Sequence, residues 1–107
     1  MANDFKNGLA KDVGTSAVTI YTTPSLKQSI VIECDVCNTT SATITTDVFI
    51  DSGGQEYYIV KNAPVPTGGT LQVISNQKII LEANEVLKAK SNAAASIDVI
   101  ASVLEDV

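Results

Sequence analysis

Apolar and polar residues alternate with a period of two along most of this chain, and Pro, Gly, Asn and Asp interrupt the pattern about every eight to twelve residues. A period of two sends successive side chains to opposite faces of an extended backbone. No long helical stretch separates the alternating runs, so the crossovers that a parallel sheet requires are missing. Glu56–Ser91 shows the pattern most densely, with four short apolar runs set among Pro64, Pro66, Gly68, Gly69 and the Glu82-Ala83-Asn84-Glu85 corner.

The alternation predicts eight strands: Val18–Thr23, Ser29–Cys37, Ala42–Ile50, Glu56–Lys61, Thr70–Ser75, Lys78–Leu81, Val86–Lys90 and Ser96–Leu104. Pro24 ends the first, and Pro64 and Pro66 keep the fourth out of a central ladder, because proline donates no backbone hydrogen bond. Asp51-Ser52-Gly53-Gly54 supplies residues that tolerate positive φ at a hairpin tip. In Ser29–Cys37 the alternation places Ile30, Ile32, Cys34 and Val36 on the inward face. In Ser96–Leu104 it places Ile97, Val99, Ala101 and Val103 together. The expected fold class is all-β, a single antiparallel β-sandwich of jelly-roll or immunoglobulin-like type. A chain of 107 residues with 45% apolar content is one domain with one core.

Residues 1–16 stand apart. Phe5, Leu9 and Val13 recur every four residues behind the capping residues Asn3 and Asp4, but Gly8 would cost a helix about 1 kcal/mol. The expectation is an N-terminal arm over 1–16, extended or a frayed turn, before a sandwich domain over 17–107. Residues 92–95 are too short for a helix and read as a loop. Met1–Asp12 lacks the pattern of a secretory signal, and no apolar run is long enough for a membrane span, so the expectation is synthesis in the cytoplasm without membrane contact.

Charge and composition exclude several functions. All seven basic residues are lysines, set against twelve acids, with neither Arg nor His. A nucleic-acid surface needs clustered cations, so none is expected. Without histidine there is no Ser-His-Asp, Cys-His or His-metal arrangement. Gly53-Gly54 and Gly68-Gly69 lack the following helix and Lys-Ser/Thr of a phosphate loop. Cys34 and Cys37 lie three apart within one strand, facing opposite ways with Cα atoms about 10 Å apart, beyond the roughly 7 Å that a disulfide spans. With no further Cys or His they cannot complete a zinc site, so both are structural. Asp47, Asp51 and Glu56, and the pair Glu82 and Glu85, read as turn residues before they read as an ion site. No catalytic residue, metal or cofactor is therefore expected.

What remains is surface. Val31, Phe49, Ile100 and Leu104 take the outward parity, and two explanations stand side by side. Either the arm covers them with Phe5, Leu9 and Val13, or they meet another subunit. Tyr57 and Tyr58 add adjacent aromatics to the candidate interface.

One resemblance runs from Phe5 to Glu105. The series Phe5-Lys6-Asn7, Asp12-Val13-Gly14-Thr15, Val18-Thr19-Ile20-Tyr21-Thr22-Thr23-Pro24, Asn38-Thr39-Thr40, Tyr58-Ile59-Val60-Lys61-Asn62-Ala63-Pro64-Val65-Pro66, Ile80-Leu81-Glu82-Ala83-Asn84-Glu85-Val86 and Ser102-Val103-Leu104-Glu105 resembles a family of small virion structural proteins of tailed bacteriophages, especially marine and cyanobacterial ones. It departs at Asn84-Glu85, where such proteins commonly read Gly-Asp. The resemblance implies a noncatalytic β-sandwich in the virion, as capsid decoration (cement) or a head–tail neck component. It would form a symmetric homo-oligomer in contact with major capsid, portal, neck or tail proteins. The alternative is a tail-tip or fibre adhesion module that binds a host glycan or protein on a Tyr57-Tyr58 platform.

Overall fold

The computed structural model describes residues 3–75 and 77–106, so Met1 and Ala2 of the expected arm, and Asn76 and Val107 of the expected sandwich domain, lie outside the described residues. Among the described residues the chain is all-β. Its strands are β1 (Asn3–Val13), β2 (Val18–Thr22), β3 (Gln28–Asn38), β4 (Ile44–Ser52), β5 (Gln55–Val65), β6 (Thr70–Ile74), β7 (Ile79–Leu81), β8 (Val86–Ser91) and β9 (Ile97–Asp106). No helix among these residues is long and apolar enough to cross a membrane.

Two antiparallel sheets face each other. Sheet A has the order β1-β9-β3-β6 with β7 also paired to β3, and sheet B has the order β2-β8-β4-β5. The pairings β4–β5, β3–β6, β3–β7, β2–β8 and β1–β9 nest around the Gly53-Gly54 tip as one long rolled hairpin. Both tip glycines take the positive φ that the turn demands. The roll closes when β9 pairs with β3 and β8 pairs with β4. This is the jelly-roll order, one of the two sandwich types the alternation allows.

The segment expected as an arm is the edge of sheet A. Residues Asn3–Val13 ladder with β9, from Asn3 opposite Asp106 to Val13 opposite Ile97. Val13 is fully buried in the core, which removes it from the candidate interface. Gly8 has a steric role here: a Cβ at that position would stand 2.7 Å from the Ile20 carbonyl oxygen of β2. The absent side chain lets β1 close against the neighbouring sheet.

Bulges decide which residues face inward. Between Val31 and Glu33, β3 advances two residues while β9 advances one, so Ile32 is the extra residue. The parity therefore reverses within the strand. Ser29 and Val31 point inward before the bulge, and Cys34, Val36 and Asn38 after it. Val31 is consequently a core residue, contrary to its expected outward place, and Ile30 moves to the outer face opposite Leu104.

A polar cluster pins the sheets together at the end where β9 finishes. The buried Tyr21 hydroxyl of β2 donates to Glu105 Oε2 of β9 at 2.5 Å and shares a 2.7 Å hydrogen bond with Ser29 of β3. Lys6 of β1 and Lys27 before β3 stand 3.6 and 3.9 Å from the same carboxylate. The Tyr21 hydrogen bond, aided by the lysines, holds Glu105 below the usual carboxylate range. Burial, then the bond to Glu105, pushes the Tyr21 phenol up to about 12.

Two outcomes test this architecture. Gly8→Ala should destabilise the domain by about 1–3 kcal/mol, because the new methyl meets backbone and not a movable side chain; thermal denaturation and faster amide exchange along β1 would show it. Tyr21→Phe should cost about 1–3 kcal/mol by leaving a buried carboxylate short of a donor. A depressed carboxylate stabilises the fold above its ordinary pKa and loses that contribution as pH falls through the folded value, so the acid unfolding midpoint of Tyr21→Phe should move to higher pH.

Candidate interaction surface

The register of sheet A assembles apolar side chains from four strands on its outer face. Phe5 of β1 stands opposite Leu104 of β9, Leu104 opposite Ile30 of β3, and Ile30 opposite Ile80 of β7. The next row on this face is polar, with Asn7 opposite Ser102 and Ser102 opposite Glu33, and beyond it Leu9 faces Ile100, Ile100 faces Asp35, and Asp35 faces Gln72. Phe5 is 78% exposed, Leu9 64%, Ile80 61% and Ile100 54%, while Leu104 and Ile30 are half-buried. Phe5, Leu104, Ile30 and Ile80 are cross-strand neighbours in one row, close enough to form a continuous apolar strip, and Leu9 with Ile100 forms a second apolar pair across the polar row.

Phe5 and Leu9 therefore join Ile100 and Leu104 side by side in the sheet, and do not lie over them as a covering arm. The alternation alone does not place Ile30 and Ile80 on this surface. Ile30 was hidden by the β3 bulge, and Ile80 lies in a strand of three residues, too short to display a period.

The row runs to an open cleft of ≈ 460 Å³ lined by Ile50, Ser52, Tyr57, Ile80, Glu82 and Glu85. Tyr57 is opposite Ile50 and Tyr58 is opposite Phe49, so the two tyrosines face opposite sides of sheet B. They form no common aromatic platform. Tyr58 stacks on Phe49 at 5.1 Å, lies 4.3 Å under the Lys61 ammonium and donates to Glu56 Oε1 at 2.8 Å. Phe49 has the expected outward parity but is almost fully buried between Tyr58 and the register partner Lys88, which withdraws it from the candidate interface.

The outer face of sheet B is ionic. Lys88 Nζ donates to Asp51 Oδ2 at 2.8 Å, and this hydrogen bond holds the Asp51 carboxyl below the usual range. Asp47 accepts the Asn62 backbone N–H at 2.7 Å, and Lys61 and Lys90 approach it at 4.0 and 3.9 Å. Asn62 takes a positive φ of 53° where β5 carries an extra residue opposite Asp47. Asp47 and Asp51 thus secure a bulge and a hairpin, the structural roles favoured for them.

Sheet A holds a different pair of acids. Glu33 and Asp35 are two apart on the outer face, and Asp35 Oδ1 is buried without a hydrogen-bond partner. Burial, then the shared hydrogen bond and repulsion of the Glu33 carboxyl, pushes Asp35 up to about 6. Beneath them Cys34 is sealed in the core. Burial, then the Asp35 charge, pushes its thiol up to about 12, while Cys37 is half-buried on the other parity. No group of three His, Cys, Asp or Glu among the described residues is placed to hold a metal ion.

No family model matches this chain. A search of curated proteins likewise finds no match. Solved structures do share the fold. One is a chain from the acidic stable capsid structure of Helicobacter pylori bacteriophage KHP30, at 12% identity and TM-score 0.62, covering all of this chain and 89% of that one. Another comes from Bacillus endospore appendages, described as a family of disulfide-linked pili, at 16% identity and TM-score 0.58, covering 97% of this chain and 85% of that one. Both neighbours belong to assembled structures, and identities this low show the fold alone.

Asp35→Asn tests the acid pair. An acid whose pKa is raised on folding adds stability below its folded value and loses it as pH rises through about 6. The variant should therefore gain up to about 1 kcal/mol at neutral pH, a figure discounted for solvent screening at a partly exposed site. Between the unfolded and folded pKa values its stability should vary less with pH than that of the wild type, as followed by urea denaturation.

Proposed function

We propose that this chain is a noncatalytic structural subunit of a tailed-phage virion, acting as capsid decoration or as a head–tail neck component. It is made in the host cytoplasm and held on the particle by subunit–subunit contacts. The observation that carries this is the in-register apolar row Phe5–Leu104–Ile30–Ile80 on the outer face of sheet A. A face of this kind gains free energy by being covered, at roughly 25 cal/mol per Å² of apolar surface removed from water.

The shared fold with a phage capsid chain supports a place in an assembled shell, and the sequence resemblance supports the tailed-phage, marine or cyanobacterial, setting. Major capsid, portal, neck and tail proteins are the partners that setting offers. Adhesion to a host glycan finds less support, because Tyr57 and Tyr58 face apart and Tyr58 is engaged by Phe49, Lys61 and Glu56.

Quantitative mass spectrometry of purified virions tests the proposal. The protein should be present in fixed proportion to the shell proteins, and Ile100→Lys should lower its incorporation at least about tenfold, the effect of losing roughly 1.4 kcal/mol of contact energy. Absence from purified particles would refute it.

A further inference from the structure

We propose that the outer face of sheet A is a self-association surface, on which a second copy of this chain packs sheet to sheet through Phe5, Leu9, Ile30, Ile80, Ile100 and Leu104. The inference rests on the assignment of this face to assembly and names its occupant.

Three observations point to a second copy. The first is area. Four apolar side chains of roughly 150–200 Å² each, all more than half exposed, leave on the order of 450 Å² of apolar surface in water. Leu104, Ile30 and the polar margin bring the face toward the ~800 Å² per partner that a stable interface buries.

The second is shape. A row of side chains in register across β1, β9, β3 and β7 makes a ridged sheet surface, and its natural complement is another sheet about 10 Å away with interdigitating side chains.

The third is charge. Among the described residues the other broad sheet face is the outer side of sheet B, and that side carries the Lys88–Asp51 pair and the Asp47 cluster with Lys61 and Lys90. Stacking A on B would desolvate those ion pairs, whereas stacking A on A leaves them in water and sets the two Glu33–Asp35 pairs face to face, a cost that protonation removes.

Packing A against A also encloses Glu33 and Asp35, and this makes the contact respond to acid. The other charged groups around the face are Asp98 of β9 and Lys11 of β1, already paired at 3.6 Å, the exposed Lys78 just before β7, and Glu82 and Glu85, which line the cleft at Ile80. From β6 come the uncharged Thr70 and Gln72, and from β7 Ile80. The ion pairs among the described residues use Lys6, Lys11, Lys27, Lys61, Lys88 and Lys90 on other acids, and none reaches Glu33 or Asp35. Two copies face to face would bring both acid pairs out of water, so the contact tightens as Asp35 takes up a proton.

Sedimentation equilibrium of the purified protein at about pH 7.5 and about pH 5, at concentrations up to roughly 0.5 mM so that even a Kd near 1 mM is visible, tests this. The wild type should associate, and at least about tenfold more tightly at the acid pH. Asp35→Asn should associate near neutrality as tightly as the wild type does in acid. Ile100→Lys and Ile80→Lys, changes at exposed sites whose folding is checked by circular dichroism, should be monomeric at both pH values. Thr19→Lys on sheet B should behave as wild type. A wild-type monomer at both pH values, association that survives Ile100→Lys, or equal association at the two pH values overturns the inference. Virion incorporation is measured separately, so a protein that enters particles yet never self-associates would refute this inference and leave the virion assignment standing.

Discussion

Sheet A depends on a strand from the far end of the chain. β9 lies between β1 and β3, so β1 has no ladder in sheet A, and no connection to β3, β6 and β7, until residues 97–106 are in place. The rolled hairpin grows outward from the β4–β5 tip, and each successive pairing joins segments further apart in sequence. Such closure carries a loop-entropy cost before contacts return it, and that cost is largest for the β1–β9 ladder, whose strands are furthest apart in the chain. The same insertion creates the outer face, because Leu104 of β9 links Phe5 of β1 to Ile30 of β3 and through it to Ile80 of β7.

The Tyr21–Glu105 cluster stands where this insertion ends. It draws on β1, β2, β3 and β9 at one point and buries a carboxylate that keeps its charge through a phenol donor and two lysines. An arrangement of this kind is specific to one register: sliding β9 by one residue would turn Glu105 to the outer face and Leu104 into the polar cluster.

Much of this was legible in the sequence. The period of two, broken by Pro24 and by Gly53-Gly54, placed the strands from Val18 to Leu104 close to where they lie, and the inward parity of Ile97, Val99, Ala101 and Val103 holds. Cys34 is the core residue its neighbours implied. The failures have local causes. The arm became a strand because β9 offers residues 3–13 an unpaired edge, a partner that a local pattern cannot reveal. Val31 changed sides because one extra residue at Ile32 reverses the alternation, and nothing in Ile-Val-Ile distinguishes a bulge from a regular strand. Phe49 keeps its parity and loses its exposure, since Tyr58 and Lys88 come over it from two other strands.

By itself the sequence determined the fold class, the approximate strand boundaries and the lack of histidine-based chemistry, because these follow from residue type and from spacing within a few positions. The tertiary structure alone decided which outward residues form a surface. Phe5, Leu104, Ile30 and Ile80 are far apart in the chain and become neighbours only through the β1–β9–β3–β7 register. That register is set by bulges and by burial of the opposite face, not by anything in the four residues themselves.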